Sequence, residues 1–135
     1  MNEFKITLPI APVTKKNSQR IVINQRTGRP FILPSEAYKE YELKARILLP
    51  NWGIDYPVNV EAVFYMPTKR RVDLVNLQEA LLDAMVKAGT LTDDNSNIVV
   101  SMDGSRVTYD KENPRTEVKI RRVHDAKGSN QGTPD

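Results

Sequence analysis

The chain has 135 residues, 39% hydrophobic and 27% charged, which bounds it to one globular domain large enough to bury a core. No apolar run approaches the roughly 18 residues of a membrane span, the N-terminus lacks the basic-then-apolar layout of a signal peptide, and Cys is absent, which excludes disulfide frameworks and thiolate metal sites. The expected setting is therefore the cytoplasm, and a formal net charge of +3 permits a nucleic-acid partner without demanding one.

Residues 4–10 alternate apolar and polar side chains and predict a strand, ended by Pro9 and Pro12. A polar loop follows that carries Lys15, Lys16 and Arg20. Residues 20–24 and 31–33, separated by a turn at Arg26-Thr27-Gly28-Arg29, predict a hairpin. Ser35, with Glu36 after it, is the expected cap of a first helix that runs to Leu49 and stops at Pro50. Trp52, in the next loop, reads as a packed cover rather than a base-stacking platform.

Residues 58–66 alternate well and predict a central strand ended by Pro67. The basic run Lys69-Arg70-Arg71 leads to a second helix over residues 73–88, which Gly89 stops. Strands are expected at 98–102, 106–109 and 116–123, with turns at Asp103-Gly104 and over 110–114. From residue 125 the chain lacks apolar side chains, which predicts a disordered tail. The expected fold is thus a single α/β (α+β) domain over residues 1–124, with a mixed sheet and two main helices.

On a helical wheel, Leu74, Leu77, Leu81, Ala84, Met85 and Ala88 form the apolar stripe of the second helix, and Asp73, Asn76, Asp83 and Lys87 lie on the opposite side. The plain alternative for that row is a solvated polar face with Asp73 as a cap. Two features point instead to a site. Asp83 goes against mid-helix propensity, and Asp93-Asp94 follows the helix closely enough to fold back toward its face. Clustered carboxylates repel, and a divalent cation relieves that repulsion. An oxygen-only donor set fits Mg²⁺ or Mn²⁺. The only His, His124, gives no zinc site. Adjacent Lys and Arg side chains point to phosphate, hence to DNA or RNA. The absence of a phosphate-binding glycine loop argues against a nucleotide cofactor.

The combination of Ile6–Pro9, Met66-Pro67, the basic run, Asp73-Leu74-Val75-Asn76-Leu77, Asp83, Ala88-Gly89 and Asp93-Asp94 resembles the RusA-type Holliday junction resolvases, also called the endodeoxyribonuclease RusA family. The resemblance implies a homodimer that binds four-way branched DNA and cuts two symmetric phosphodiester bonds with Mg²⁺ or Mn²⁺. It implies that Asp73 and Asp94 are catalytic metal ligands and that Asp83 and Asp93 are further acids of the cluster. Lys15, Lys16, Arg20, Lys69, Arg70, Arg71, Asn76 and Lys87 are the expected DNA contacts.

Two positions depart from the pattern: Val75 stands where the family usually has a second Asp, and Glu79 where it usually has Lys. Glu79 lies one turn beyond Val75 and about 40° round the helix, so its carboxylate can replace the missing acid as a catalytic metal ligand. The Lys function would then be lost or pass to Lys87 or Lys69. Val75, Leu82 and Val86 form a second apolar strip, either more core or a dimer seam. Three outcomes stay open: a metal-dependent junction endonuclease, a branched-DNA-binding protein that has lost cleavage, and a generic interaction domain.

Overall fold

A computed structural model describes residues 3–14, 19–34 and 36–124. The expectations for Lys15, Lys16, the Arg20 side chain, the Ser35 cap and the tail from residue 125 lie outside the described residues. Seven strands and two helices follow in the order β1 (Glu3–Leu8), β2 (Gln19–Ile23), β3 (Pro30–Pro34), α1 (Glu36–Leu48), β4 (Val58–Met66), α2 (Leu74–Ala88), β5 (Val99–Ser101), β6 (Arg106–Tyr109) and β7 (Arg115–Arg122).

β4 is the central strand, as its alternation predicts. It pairs antiparallel with β7, which pairs in turn with β1. On its other edge it pairs in parallel with β5 at Val58-Asn59 and with β6 at Val63–Met66. The sheet is therefore mixed. β5 and β6 lie end to end along β4, and side chains fill the break between them. The amide of buried Asn59 bonds to the backbone of Asp103 on both its oxygen (2.8 Å) and its nitrogen (3.2 Å). Ser105 Oγ accepts from Ala62 N–H at 3.0 Å, in place of a strand carbonyl.

Ile6, Leu8, Val58, Val60, Ala62, Phe64, Val118 and Ile120 form one face of the sheet and share the core with the helices. α1 contributes Tyr38, Tyr41 and Ala45. α2 contributes Leu77, Ala80, Leu81, Ala84 and Met85. The stripe predicted for α2 is thus shifted slightly, with Ala80 fully inside and Leu74 and Ala88 partly buried. Leu82 and Val86 pack on the core as well, but Val75 is 70% exposed, so the second apolar strip is not a continuous seam. Trp52 covers Phe4, with ring centroids 4.9 Å apart.

The end of α2 is fixed tightly. Gly89 takes the left-handed conformation (φ 85°), and the following turn bonds back to Met85 and Val86 carbonyls. The chain then runs beside residues 50–54. Gly53 N–H donates to Gly89 O (2.8 Å), Ile54 N–H to Thr90 O (3.0 Å) and Thr92 N–H to Ile54 O (3.0 Å). The β2–β3 hairpin forms a separate two-stranded sheet, outside the main one.

A Cβ at Gly89 would sit 2.5 Å from Asn51 Oδ1. Gly89→Ala should cost about 1–2 kcal/mol in backbone strain alone. The expected result is a lower urea midpoint at unchanged slope; an unmoved midpoint would contradict the left-handed cap.

Candidate nucleic-acid and metal site

α2 is the rail on which the expected acids stand. Asp73 is its N-cap residue, in extended conformation (φ −89°, ψ 124°), yet its side chain caps nothing. Its backbone carbonyl takes the first helical bonds, from Asn76 N–H (3.1 Å) and Leu77 N–H (3.2 Å). Its carboxylate Oδ2 accepts from Asn76 Nδ2 at 3.3 Å. The carboxylate is therefore exposed, oriented by Asn76 and not committed to the helix amides, which is the reverse of the plain capping role.

Ahead of Asp73 lies the basic loop. Lys69 Nζ sits 5.1 Å from the centre of the Tyr109 ring at the end of β6. Arg70 and Arg71 are exposed. With Pro12, Val13, Thr14 and residues 66–68 they line a cleft of about 300 Å³. Thr14 is buried there. Arg70 and Arg71 thus stand just ahead of the positive end of α2, a favourable setting for phosphate.

Farther along α2, Glu79 and Asp83 face α1. The two helices run in the same sense: Glu79 and Asp83 act on Tyr38, Lys87 pairs with Glu42, and Thr90 Oγ1 donates to Pro50 O at 2.6 Å. Burial first, then the charges of Glu42, Asp83 and Glu79, push the Tyr38 hydroxyl up from 10.0 to about 12. Burial pushes Tyr41 up as well. Lys87, expected at DNA, is engaged with Glu42. That partner has no sequence signal, because the two lie 45 positions apart on different helices.

Asp93 and Asp94 follow the segment pinned to residues 50–54 and precede β5. Asp93 uses both oxygens locally: Oδ1 accepts from Asp94 N–H (2.7 Å) and Oδ2 from Asn95 Nδ2 (2.9 Å). It shapes the loop, and Asp94 is left exposed with its carboxylate free of hydrogen bonds and ion pairs among the described residues. The fifteen residues of α2 span about 22 Å, so Asp73 and the Asp93-Asp94 pair stand near its opposite ends. The expected return of that pair to the helix face does not occur within one chain. Among the described residues no three Asp, Glu or His side chains gather around a common point suited to a metal. Chemically, the free oxygens of Asp73 and Asp94 fit Mg²⁺ or Mn²⁺, which take one or two carboxylates and fill the remaining positions with phosphate oxygens and water.

Glu79→Gln and Asp83→Asn should each lower the Tyr38 titration. The check is the tyrosinate absorbance of each variant minus that of the same variant carrying Tyr38→Phe. Because the folded value is the raised one, the contribution of Tyr38 to stability is full below pH 10 and is lost as pH rises toward 12. A titration blind to both substitutions would remove these acids from the α1 face.

The profile of the family described as Endodeoxyribonuclease RusA matches residues 9–121. The crossover junction endodeoxyribonuclease RusA of Escherichia coli K12 is 35% identical over 97 residues, which cover 70% of this chain and 76% of that protein. The enzyme of the same name from Enterobacteria phage 82 matches to the same extent. The one from Aquifex aeolicus is 31% identical over 99 residues, covering 70% of this chain and 75% of its own length.

Proposed function

The chain belongs to the endodeoxyribonuclease RusA family, and on that premise we propose that it is a crossover junction endodeoxyribonuclease that resolves four-way DNA junctions by paired, metal-dependent phosphodiester hydrolysis. The observation that carries this is the uncapped Asp73 carboxylate directly after the Lys69–Arg71 strap, where a DNA phosphate and a cation would meet. Asp73 and Asp94 would hold Mg²⁺ or Mn²⁺. When bound, the ion supplies charge neutralisation at the phosphate and a more acidic water. Asn76 orients Asp73, Asp93 shapes the loop that presents Asp94, and Lys69, Arg70 and Arg71 hold the backbone of the strand to be cut.

The separation of Asp73 from Asp94 supports a dimer with shared sites. In a two-fold pair with antiparallel α2 helices, Asp73 of one copy approaches Asp94 of its partner, and the cut positions inherit the symmetry of the junction. Exposed apolar side chains suit such a pairing: Val75 on α2, and Leu43 and Ile47 on α1. A second outcome, junction binding without cleavage, is favoured by one observation. Val75 presents an exposed methyl pair where the family pattern has an acid.

Asp73→Asn and Asp94→Asn should each abolish nicking of a labelled four-way junction in Mg²⁺ while binding persists. Mixed together, they should recover nicking if each site draws on both copies, because the mixed dimer rebuilds one intact pair. No recovery, with a dimeric mass by light scattering, would place both acids of each site in one chain. Binding by the wild type without nicks in Mg²⁺ or Mn²⁺ would establish the second outcome. Glu79, one turn beyond the Val75 that lacks the family's acid, would supply the replacement carboxylate to the assembled site, so Glu79→Ala should lose most nicking at unchanged junction affinity; full activity would make Glu79 an ordinary solvated helix residue.

A further inference from the structure

Between Glu3 and Glu36 the sequence holds Lys5, Lys15, Lys16, Arg20, Arg26 and Arg29 and no acid at all. The β2–β3 hairpin projects from this stretch. Among the described residues the hydrogen bonds at its tip are all local. Asn24 Oδ1 accepts from Arg26 N–H (2.8 Å) and Thr27 N–H (3.1 Å), Gly28 N–H donates to Asn24 O (2.7 Å), and Asn24 N–H donates to Arg29 O (2.9 Å). Gly28 takes the left-handed conformation that closes the turn (φ 73°). Arg26 and Arg29 are both exposed, and neither has an ion pair among the described residues. Below the tip, Ile21 and Ile23 fall on one side of β2 and stand 72% and 56% exposed.

Exposed isoleucines on a strand outside the main sheet are a liability unless something covers them. The charge around them selects the cover. A hairpin whose described charges, Arg26 and Arg29, are both cationic repels a second copy of itself and attracts a polyanion. In the chain the hairpin follows Thr14, which lines the cleft with Arg70 and Arg71, after four residues, and precedes α1 by one residue.

We propose that the β2–β3 hairpin is a DNA-engaging arm. Arg26 and Arg29 bind backbone phosphates, and Ile21 and Ile23 pack against the base faces left open at the branch point. Apolar side chains of this kind unstack base steps when a basic frame holds them in the groove. The arm distinguishes branched from continuous duplex DNA, because only a branch offers unstacked faces. This rests on the proposal that junction DNA is the substrate.

The test uses the full-length protein and a four-way junction with a fluorescent base analogue at the branch point, beside a duplex of equal length. Arg26→Gln with Arg29→Gln should flatten the slope of log affinity against log salt by about 2, roughly one unit for each phosphate that is no longer neutralised. Ile21→Ser with Ile23→Ser should leave that slope in place, suppress the fluorescence rise on binding, and reduce the preference for junction over duplex. Far-UV circular dichroism and the melting transition check that both variants fold. Unchanged slope, fluorescence and preference in variants of an active wild type would overturn the arm and leave the junction-nuclease proposal standing. A wild type that neither binds nor cuts junctions would overturn both. A fall in mass by light scattering, with DNA binding intact, would make the hairpin a self-association arm and overturn the inference.

Discussion

Burial of one stripe on α2 sets the place of every acid along that helix. Leu77, Ala80, Leu81, Ala84 and Met85 are inside the core, packed with the buried face of β4. Each of the larger side chains contributes roughly 1.5–3 kcal/mol by leaving water. Turning the helix by one residue, about 100°, would expose that stripe, so the rotation of α2 is fixed. With the rotation fixed, Glu79, Asp83 and Lys87 must point toward α1. The Gly89 cap and the ladder to residues 50–54 fix the other end. Asp73 and Asp94 are then held apart by a rigid rod rather than by loops.

Local features are legible in the sequence, and distant ones are not. The alternation over residues 58–66 and the stop at Pro67 define β4 as it is found, and Gly89 ends α2 as expected. Both depend on side chains within a few positions of each other. The location of Asp93-Asp94 depends on the pairing of Thr90 and Thr92 with Ile54, a contact between segments nearly forty residues apart, and periodicity carries no trace of it. The same holds for Lys87. Its place on the polar face is legible, but the Glu42 that claims it lies on another helix. Trp52 is the cover that its loop position suggests, although nothing local points to its partner, Phe4 on β1.

The acids of the motif divide their work by what else they touch. Asp93 has no oxygen without a local bond, Asp73 is partly engaged by Asn76, and Asp94 is unengaged among the described residues. A carboxylate whose two oxygens both have local bonds, as in Asp93, holds geometry, and one that keeps a free oxygen can still take a further partner. Identical residue types in one motif thus differ in how far local hydrogen bonds engage them. The difference follows from the Asn76 and Asn95 side chains and the Asp94 backbone N–H rather than from the acids themselves.

The pairing of β1 with β7 has a consequence for how the protein is made. Glu3 lies opposite Arg121 and Leu8 opposite Thr116, so β1 leaves the ribosome with no sheet partner until β7 emerges. The β4 edge that accepts β7 stays open until the same moment. Through that time the nascent chain carries two unsatisfied strands and an apolar sheet face, the state in which wrong pairing and aggregation compete with folding. Such a topology folds slowly for its size because its decisive contacts close the longest loops. Synthesis cut short before residue 115 would leave β1 unpaired and the central strand with a bare edge, so protein quality control meets an incomplete chain as an exposed sheet rather than as a smaller stable domain.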